Sequence, residues 1–345
     1  MNPTTHQDLQ QLTDVPVIDI ASLINNRENK KEVALALQKA ATEYGFFYIT
    51  NHGISQQLQQ NLEDLSREFF KLDLAEKMKI NMELGGKAWR GFFPVKGELT
   101  SGKPDLKEGV YFGTELSESD ERVKAGWPMH GANLFPENMP NFKETVNTYI
   151  EKLTELGHHL MRGLSLSLDL SENYFNEHFT NNPLTLFRIF HYPSAEKKPD
   201  DANLWGVGEH TDYGVLTILK QDSVGGLQIR TQSNWIEAPF IPNTFVCNIG
   251  DMLERMTGGY YRSTPHRVKN RTTKSRLSFP FFFDPNFEAE VHAIPLKQLK
   301  VNTSDYQRWD GKNIHDFQGT YGDYVLGKVS KVFPQLKKAI VKKRE

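Results

Sequence analysis

Between residues 184 and 283 the sequence is cut into short runs rich in β-branched and aromatic residues: LTLFRIFHY, GVLTILKQ, GGLQIR, WIEAPF, TFVCNI, STPHRVK and RLSFPFFF. Gly, Asn, Pro or Asp marks the breaks. Short β-rich runs at roughly regular spacing predict an all-β barrel or sandwich core. The flanks have another texture. Residues 28–44 place Val33, Leu35, Leu37, Ala40 and Ala41 at spacings suited to a helix that stops before Gly45, and residues 56–82 and 142–168 read as further helices. Residues 16–20 and 46–50 read as short strands, 85–140 as a loop-rich passage, and 319–343 as a helix packed outside the core. The expected architecture is mainly β with flanking helices. Along the chain it runs as a helical and mixed region at 1–140, a supporting long helix at 141–182, the β core at 183–300 and a C-terminal helical segment at 301–345.

Composition narrows the function classes. With 41 Lys+Arg against 43 Asp+Glu, the net charge of −2 gives no basic footprint for nucleic acid. The one cysteine, Cys247, excludes an intramolecular disulfide framework and any cysteine-rich metal site, as expected of a protein in the reducing cytosol. No stretch approaches the roughly 18 apolar residues of a membrane helix, and MNPTTHQDLQQLTD lacks the order of a signal peptide, so neither a membrane nor a secretory route is expected. The Asn270-Arg271-Thr272 and Asn302-Thr303-Ser304 triplets therefore carry no weight as glycosylation sites. The terminal KKAIVKKRE reads as the charged end of a helix.

The chemistry sits in the β-rich half. His210, Asp212 and His266 offer two imidazole nitrogens and one carboxylate oxygen, a donor set that suits non-haem ferrous iron and leaves coordination positions open. In a strand, residues i and i+2 share a face, so His210 and Asp212 can reach one ion while Thr211 points away. An HxD triplet alone is weak, since about one is expected by chance at average usage. The signal strengthens because Arg276-Leu277-Ser278 follows His266 by ten residues, across the turn-like 270–273, as if a strand, a turn and a returning strand brought both to the metal. A 2-oxo dicarboxylate could chelate iron through its keto oxygen and near carboxylate, its far carboxylate meeting the planar Arg276 fork and the Ser278 hydroxyl. Other motifs have plainer readings. His158-His159 sits in a helical pattern where neighbours face apart, and His52 reads as a hydrogen-bonding turn residue. Gly206-Val207-Gly208 lacks the third glycine and the helix of a dinucleotide fingerprint.

The blocks VPVIDI, GFFYITNHGI, GEHTDYGVLTIL, VGGLQI, NIGDMLERMTGG and STPHRVKNRTTKSRLSFPFFF resemble the iron(II)- and 2-oxoglutarate-dependent dioxygenases of the isopenicillin N synthase-like group, also called iron/ascorbate oxidoreductases. The resemblance covers nearly the whole chain and implies a double-stranded β-helix, or jelly roll. Carried over, it makes His210, Asp212 and His266 the iron ligands, Arg276 and Ser278 the anchor of 2-oxoglutarate, and Tyr192 a further cosubstrate contact. Many relatives carry asparagine two positions before that tyrosine, where this chain has Phe190. GFFPVKGELTSGKPDLKEG and RVKAGWPMHG are similar to microbial ethylene-forming members, which places Glu98 and Arg188 where those members contact a cosubstrate arginine. With Tyr213 these form the expected substrate wall. The implied activity is oxidation of a small molecule by hydroxylation, desaturation or cyclisation, using Fe(II), 2-oxoglutarate and O₂, with ascorbate as an auxiliary reductant and succinate and CO₂ as co-products. The alternatives are a 2-oxoglutarate-independent iron oxidase, ethylene formation, or a ligand-binding pseudo-oxygenase without turnover.

Overall fold

A computed structural model describes residues 6–100, 103–194, 205–231, 234–269, 273–296, 311 and 313–332. Its strands, in chain order, are β1 (Val17–Asp19), β2 (Phe46–Thr50), β3 (Gly91–Phe93), β4 (Leu99–Thr100), β5 (Lys103–Pro104), β6 (Glu108–Gly113) and β7 (Leu184–Tyr192). They continue as β8 (Val207–His210), β9 (Leu216–Gln221), β10 (Leu227–Arg230), β11 (Trp235–Ala238), β12 (Phe245–Ile249), β13 (His266–Val268) and β14 (Arg276–Asp284). A large sheet runs β1-β2-β12-β9-β14-β7-β6-β3 and a small one β11-β10-β13-β8, antiparallel throughout except for β1 beside β2. One cavity is lined from both sheets, by Arg188 and Phe282 of the large and by Val207 and His266 of the small. This is the jelly roll.

Period-two alternation decides what faces that cavity. On β7, Phe187 and Ile189 are fully buried on the outer face, where Tyr149 of the long helix Pro140–Ser167 lies 5.1 Å from the Phe187 ring. Leu186, Arg188, Phe190 and Tyr192 line the cavity instead. On β14, Leu277, Phe279, Phe281 and Phe283 are fully buried, while Ser278, Pro280 and Phe282 face inward. A proline has no N–H to give a ladder. Accordingly the β14–β7 register omits Phe279 and Pro280, opposite Ile189 and Arg188, whereas pairing with β9 is continuous there. The long helix approaches β14 closely at Gly157, where a Cβ would lie 2.3 Å from the Phe283 ring.

Several expectations are corrected. The passage at 85–140 contributes β3 and β6, which extend the large sheet. The helical stretch expected over 56–82 divides into Gln56–Lys71 and Leu74–Met78, parted by the extended Leu72. Leu35 is 63% exposed on the helix Lys30–Glu43, because two residues' spacing puts it on the face opposite Val33 and Leu37. β13 and β14 are not a hairpin, since they belong to different sheets, and the turn between them at 270–272 lies outside the described residues. The last helix is described as Tyr321–Val332; its expected continuation to 343, the terminal basic run and the triplet at 302–304 also lie outside. No helix among the described residues is long and apolar enough to cross a membrane.

Candidate metal centre and its cavity

His266 pairs directly with His210 across β13 and β8, which brings the ring centroids to 4.3 Å. Asp212 arrives by a different route from the expected one. β8 ends at His210, so Asp212 lies in the turn that leaves the small sheet for β9 of the large one. Two residues of the large sheet catch it: Thr217 Oγ1 and Asn248 Nδ2 donate to Asp212 Oδ2 at 2.5 and 2.7 Å. Oδ1 is left 3.8 Å from His210 Nε2 and 3.7 Å from His266 Nε2. Two atoms each ~2.1 Å from one ion can stand up to about 4.2 Å apart, so these separations admit a shared metal.

The imidazoles are oriented in the same sense. His210 Nδ1 lies 2.8 Å from the Gly208 carbonyl and His266 Nδ1 3.2 Å from the Thr264 carbonyl, contacts that place the N–H on Nδ1 and leave both Nε2 lone pairs for an ion. Burial, then the neighbouring His266, pushes His210 down to about 4, so it stays neutral. Burial alone would raise Asp212, but His266, His210, Thr217 and Asn248 together hold its carboxyl below the usual range. Among the described residues this is the one histidine, cysteine and carboxylate cluster close enough to hold a metal.

The cavity beside this cluster measures about 580 Å³, within the size range of small-molecule sites. Behind the cavity-lining Tyr192, Arg276 has no exposed surface, its guanidinium 4.7 Å from the Tyr192 ring centre. Its Nε donates to the Gly225 carbonyl at 2.5 Å, while among the described residues Nη1 and Nη2 have no hydrogen-bond partner. Ser278 is on the cavity wall, and so is Tyr192, whose phenol burial holds protonated. Elsewhere the charges satisfy one another. Glu98 accepts from Tyr111 Oη at 2.5 Å and pairs with Lys107 Nζ at 2.8 Å; Arg188 Nη1 is 3.9 Å from it. Arg188 also lies over the Tyr111 and Phe282 rings at 4.3 and 4.7 Å. Burial would raise Glu98, but Lys107 and Arg188 keep it ionised. Tyr213 lines the cavity.

The structure thus places the residues singled out from sequence on the wall of one cavity, except Arg276, which lies buried behind Tyr192, and adds others. Lys107, Asn248, Thr217, Asp284 and Tyr321 were not singled out. Asn248 was signalled as the polar residue inside the apolar run TFVCNI, and Asp284 as the acid ending FPFFFD; nothing local marked Lys107 or Tyr321.

A jelly roll with a two-imidazole, one-carboxylate cluster and an unpaired buried arginine defines a mononuclear non-haem metal enzyme of the 2-oxoacid-using kind. Comparison with known proteins agrees. Residues 15–138 match the family described as non-haem dioxygenase in morphine synthesis N-terminal, and 183–285 match the 2OG-Fe(II) oxygenase superfamily. The chain is 51% identical to a probable iron/ascorbate oxidoreductase of Dictyostelium discoideum, over 96% of this chain and 98% of that one. It is 42% identical to a 1-aminocyclopropane-1-carboxylate oxidase of the same organism, over 95% and 96%, and 36% identical to a homoarginine-6-hydroxylase of Glycine max, over 94% and 98%. The crystal structure of a full-length Neurospora crassa protein in complex with alpha-KG and 5-formyluracil is similar with a TM-score of 0.74 at 27% identity, over 92% of this chain and 96% of that one. The chain belongs to the 2OG-Fe(II) oxygenase superfamily. It is an Fe(II)- and 2-oxoglutarate-dependent dioxygenase acting on a small molecule.

Proposed function

We propose that His210, Asp212 and His266 hold the iron, that Arg276 with Ser278 and Tyr192 seats the far carboxylate of 2-oxoglutarate, and that the enzyme hydroxylates an amino acid with a cationic side chain. Arg276 carries the cosubstrate assignment. A fully buried guanidinium with two unpartnered nitrogens is costly, and a carboxylate supplies what both lack through a bidentate pair. The substrate class rests on charge. The cavity wall carries both signs, Glu98 and Asp284 against Arg188, Lys107, Lys328 and Lys331, with Leu186, Leu219 and Phe282 between them, which suits a zwitterion with an aliphatic stem. The relative named for homoarginine points to the same class, and the one named for 1-aminocyclopropane-1-carboxylate to an amino acid more broadly.

When bound, iron with 2-oxoglutarate and O₂ supplies the oxidation of a C–H bond, with succinate and CO₂ leaving. The protein's own part is positional. The Gly208 and Thr264 carbonyls fix the imidazole tautomers, and Thr217 and Asn248 fix Asp212. Arg276 sets the direction in which the cosubstrate lies, and Phe46, Leu227 and Val268 exclude water beside the cluster. Arg188, beside Tyr213, offers a cation to the substrate's carboxylate. A reducing, cytosolic setting belongs to the same reading, supported by the free buried Cys247.

The test is anaerobic loading with Fe(II) and 2-oxoglutarate, monitored by the weak visible charge-transfer band of the chelate. Wild type should show it. Arg276→Ala should need at least ~30-fold more 2-oxoglutarate, since removing one partner of a buried pair costs about 2–5 kcal/mol. Absence of the band from iron-loaded wild type, or an unchanged titration in the variant, would contradict the assignment.

A further inference from the structure

Asp284 is a buried carboxyl with no ion-pair partner among the described residues. It closes β14, it is 3% exposed, and it lines the cavity. Tyr321 of the last helix donates to its Oδ2 at 2.6 Å, while Oδ1 turns toward the Gly214–Val215 backbone, where the Val215 N–H bears on the carboxyl. The chain makes room for that oxygen. A Cβ at Gly214 would lie only 1.4 Å from Oδ1, so residue 214, in the turn that carries Asp212, has no space for a side chain.

Its place relative to the metal cluster follows from the register. Thr217, which holds Asp212, pairs with Phe282 on one side and Asn248 on the other. Arg276 lies on β14 six residues before Phe282 (282 − 276), and Asp284 two residues after it (284 − 282). A cosubstrate reaching from Arg276 to the cluster therefore leaves the Asp284 end free for substrate.

We propose that Asp284, backed by Tyr321, receives the cationic side-chain group of the substrate, a guanidinium in the first instance. This rests on the amino-acid reading above and names the residue that selects the side chain. Glu98 is the competing acid, but its Oε2 is already ion-paired with Lys107 at 2.8 Å, whereas among the described residues no cation forms an ion pair with Asp284. Hydroxylation at carbon 6 of homoarginine, the carbon bonded to the guanidino nitrogen, requires that cation to lie next to the cluster, as Asp284 does beside the Asp212–Gly214 turn. The electrostatics agree. Burial, then the negative Asp212, pushes the Asp284 carboxyl up to about 7 even against Tyr321 and Arg188, as expected of an acid that lacks a counter-charge.

The experiment is anaerobic calorimetric titration of Fe(II)- and 2-oxoglutarate-loaded protein with L-homoarginine and with its uncharged isostere L-homocitrulline. The charge-transfer band serves as the check that each protein is assembled. Wild type should prefer homoarginine, and Asp284→Asn should lose that preference by roughly 30-fold or more, in line with the cost of a broken buried charge pair. Tyr321→Phe, a milder change that keeps the carboxyl, should erode it partly and stands in if the first variant fails to assemble. If Asp284→Asn and Tyr321→Phe keep the preference while Glu98→Gln loses it, Asp284 is not the anchor and the amino-acid reading survives. If wild type does not distinguish the two ligands, both fall.

Discussion

Arg276 and Arg188 sit on neighbouring strands beside one cavity, yet they are held in opposite ways. Arg276 spends a single N–H on the Gly225 carbonyl, and among the described residues its two terminal nitrogens have no partner, in a place without solvent. Arg188 is 16% exposed, lies over two aromatic rings and faces Glu98, which Lys107 and Tyr111 also hold. On the proposed reading the first is a slot for one carboxylate, that of the cosubstrate. The second belongs to a charge network that is already balanced, so a ligand entering there must bring both signs or displace a partner. An enzyme that always uses the same cosubstrate can keep the first arrangement fixed, and on the same proposed reading its substrate preference resides in the second.

The largest expected effect removes what both ends share. Asp212→Ala should abolish succinate formation and iron retention while circular dichroism stays near that of wild type; full activity would remove the metal assignment. Next come the two arginines. Arg276→Ala should raise the 2-oxoglutarate requirement as above, while Arg188→Ala should leave that requirement near wild type and raise the amino-acid KM. Steady-state kinetics in both ligands checks this, and identical phenotypes would dissolve the distinction between the two ends. A smaller change follows from the support of Asp212: Asn248→Ala should weaken iron affinity by about 10–100-fold, measured by competition with a chelator.

The least effect on chemistry lies far from either arginine. His52 Nδ1 accepts from the Ile54 amide at 3.1 Å, as its reading as a turn residue anticipated, and burial lowers it to about 4. The unfolded chain takes up that proton first, below about 6.5, so the contribution is full above that pH and is lost as pH falls toward 4. His52→Asn should therefore shrink the loss of stability between pH 7 and pH 5 by up to about 2 kcal/mol in urea melts, with the KM values untouched.

How far the sequence reached depended on how locally each feature is coded. The seven runs from LTLFRIFHY to RLSFPFFF correspond to β7 and β9–β14, because alternation and turn residues act within a few positions. The triplet His210-Thr211-Asp212 pointed to the cluster for a reason that did not hold in detail: Asp212 is placed by a turn and by Thr217 and Asn248, not by strand alternation. The return strand after His266 was legible as a strand, but its transfer to the other sheet was not, since periodicity names a face and not a neighbour. The substrate end was least legible. Glu98, Lys107, Arg188, Asp284 and Tyr321 come from separate segments, and only the order β14-β7-β6 and the seating of the last helix bring them together.

The central claim, that cosubstrate and substrate occupy opposite ends of the cavity, is tested most directly by a crystal structure of the protein loaded with Fe(II) and 2-oxoglutarate. The account expects the far carboxylate of 2-oxoglutarate about 2.7–2.9 Å from both terminal nitrogens of Arg276, with the ion on His210 Nε2, Asp212 Oδ1 and His266 Nε2. A carboxylate seated on Arg188, with Arg276 still unpaired, would contradict it.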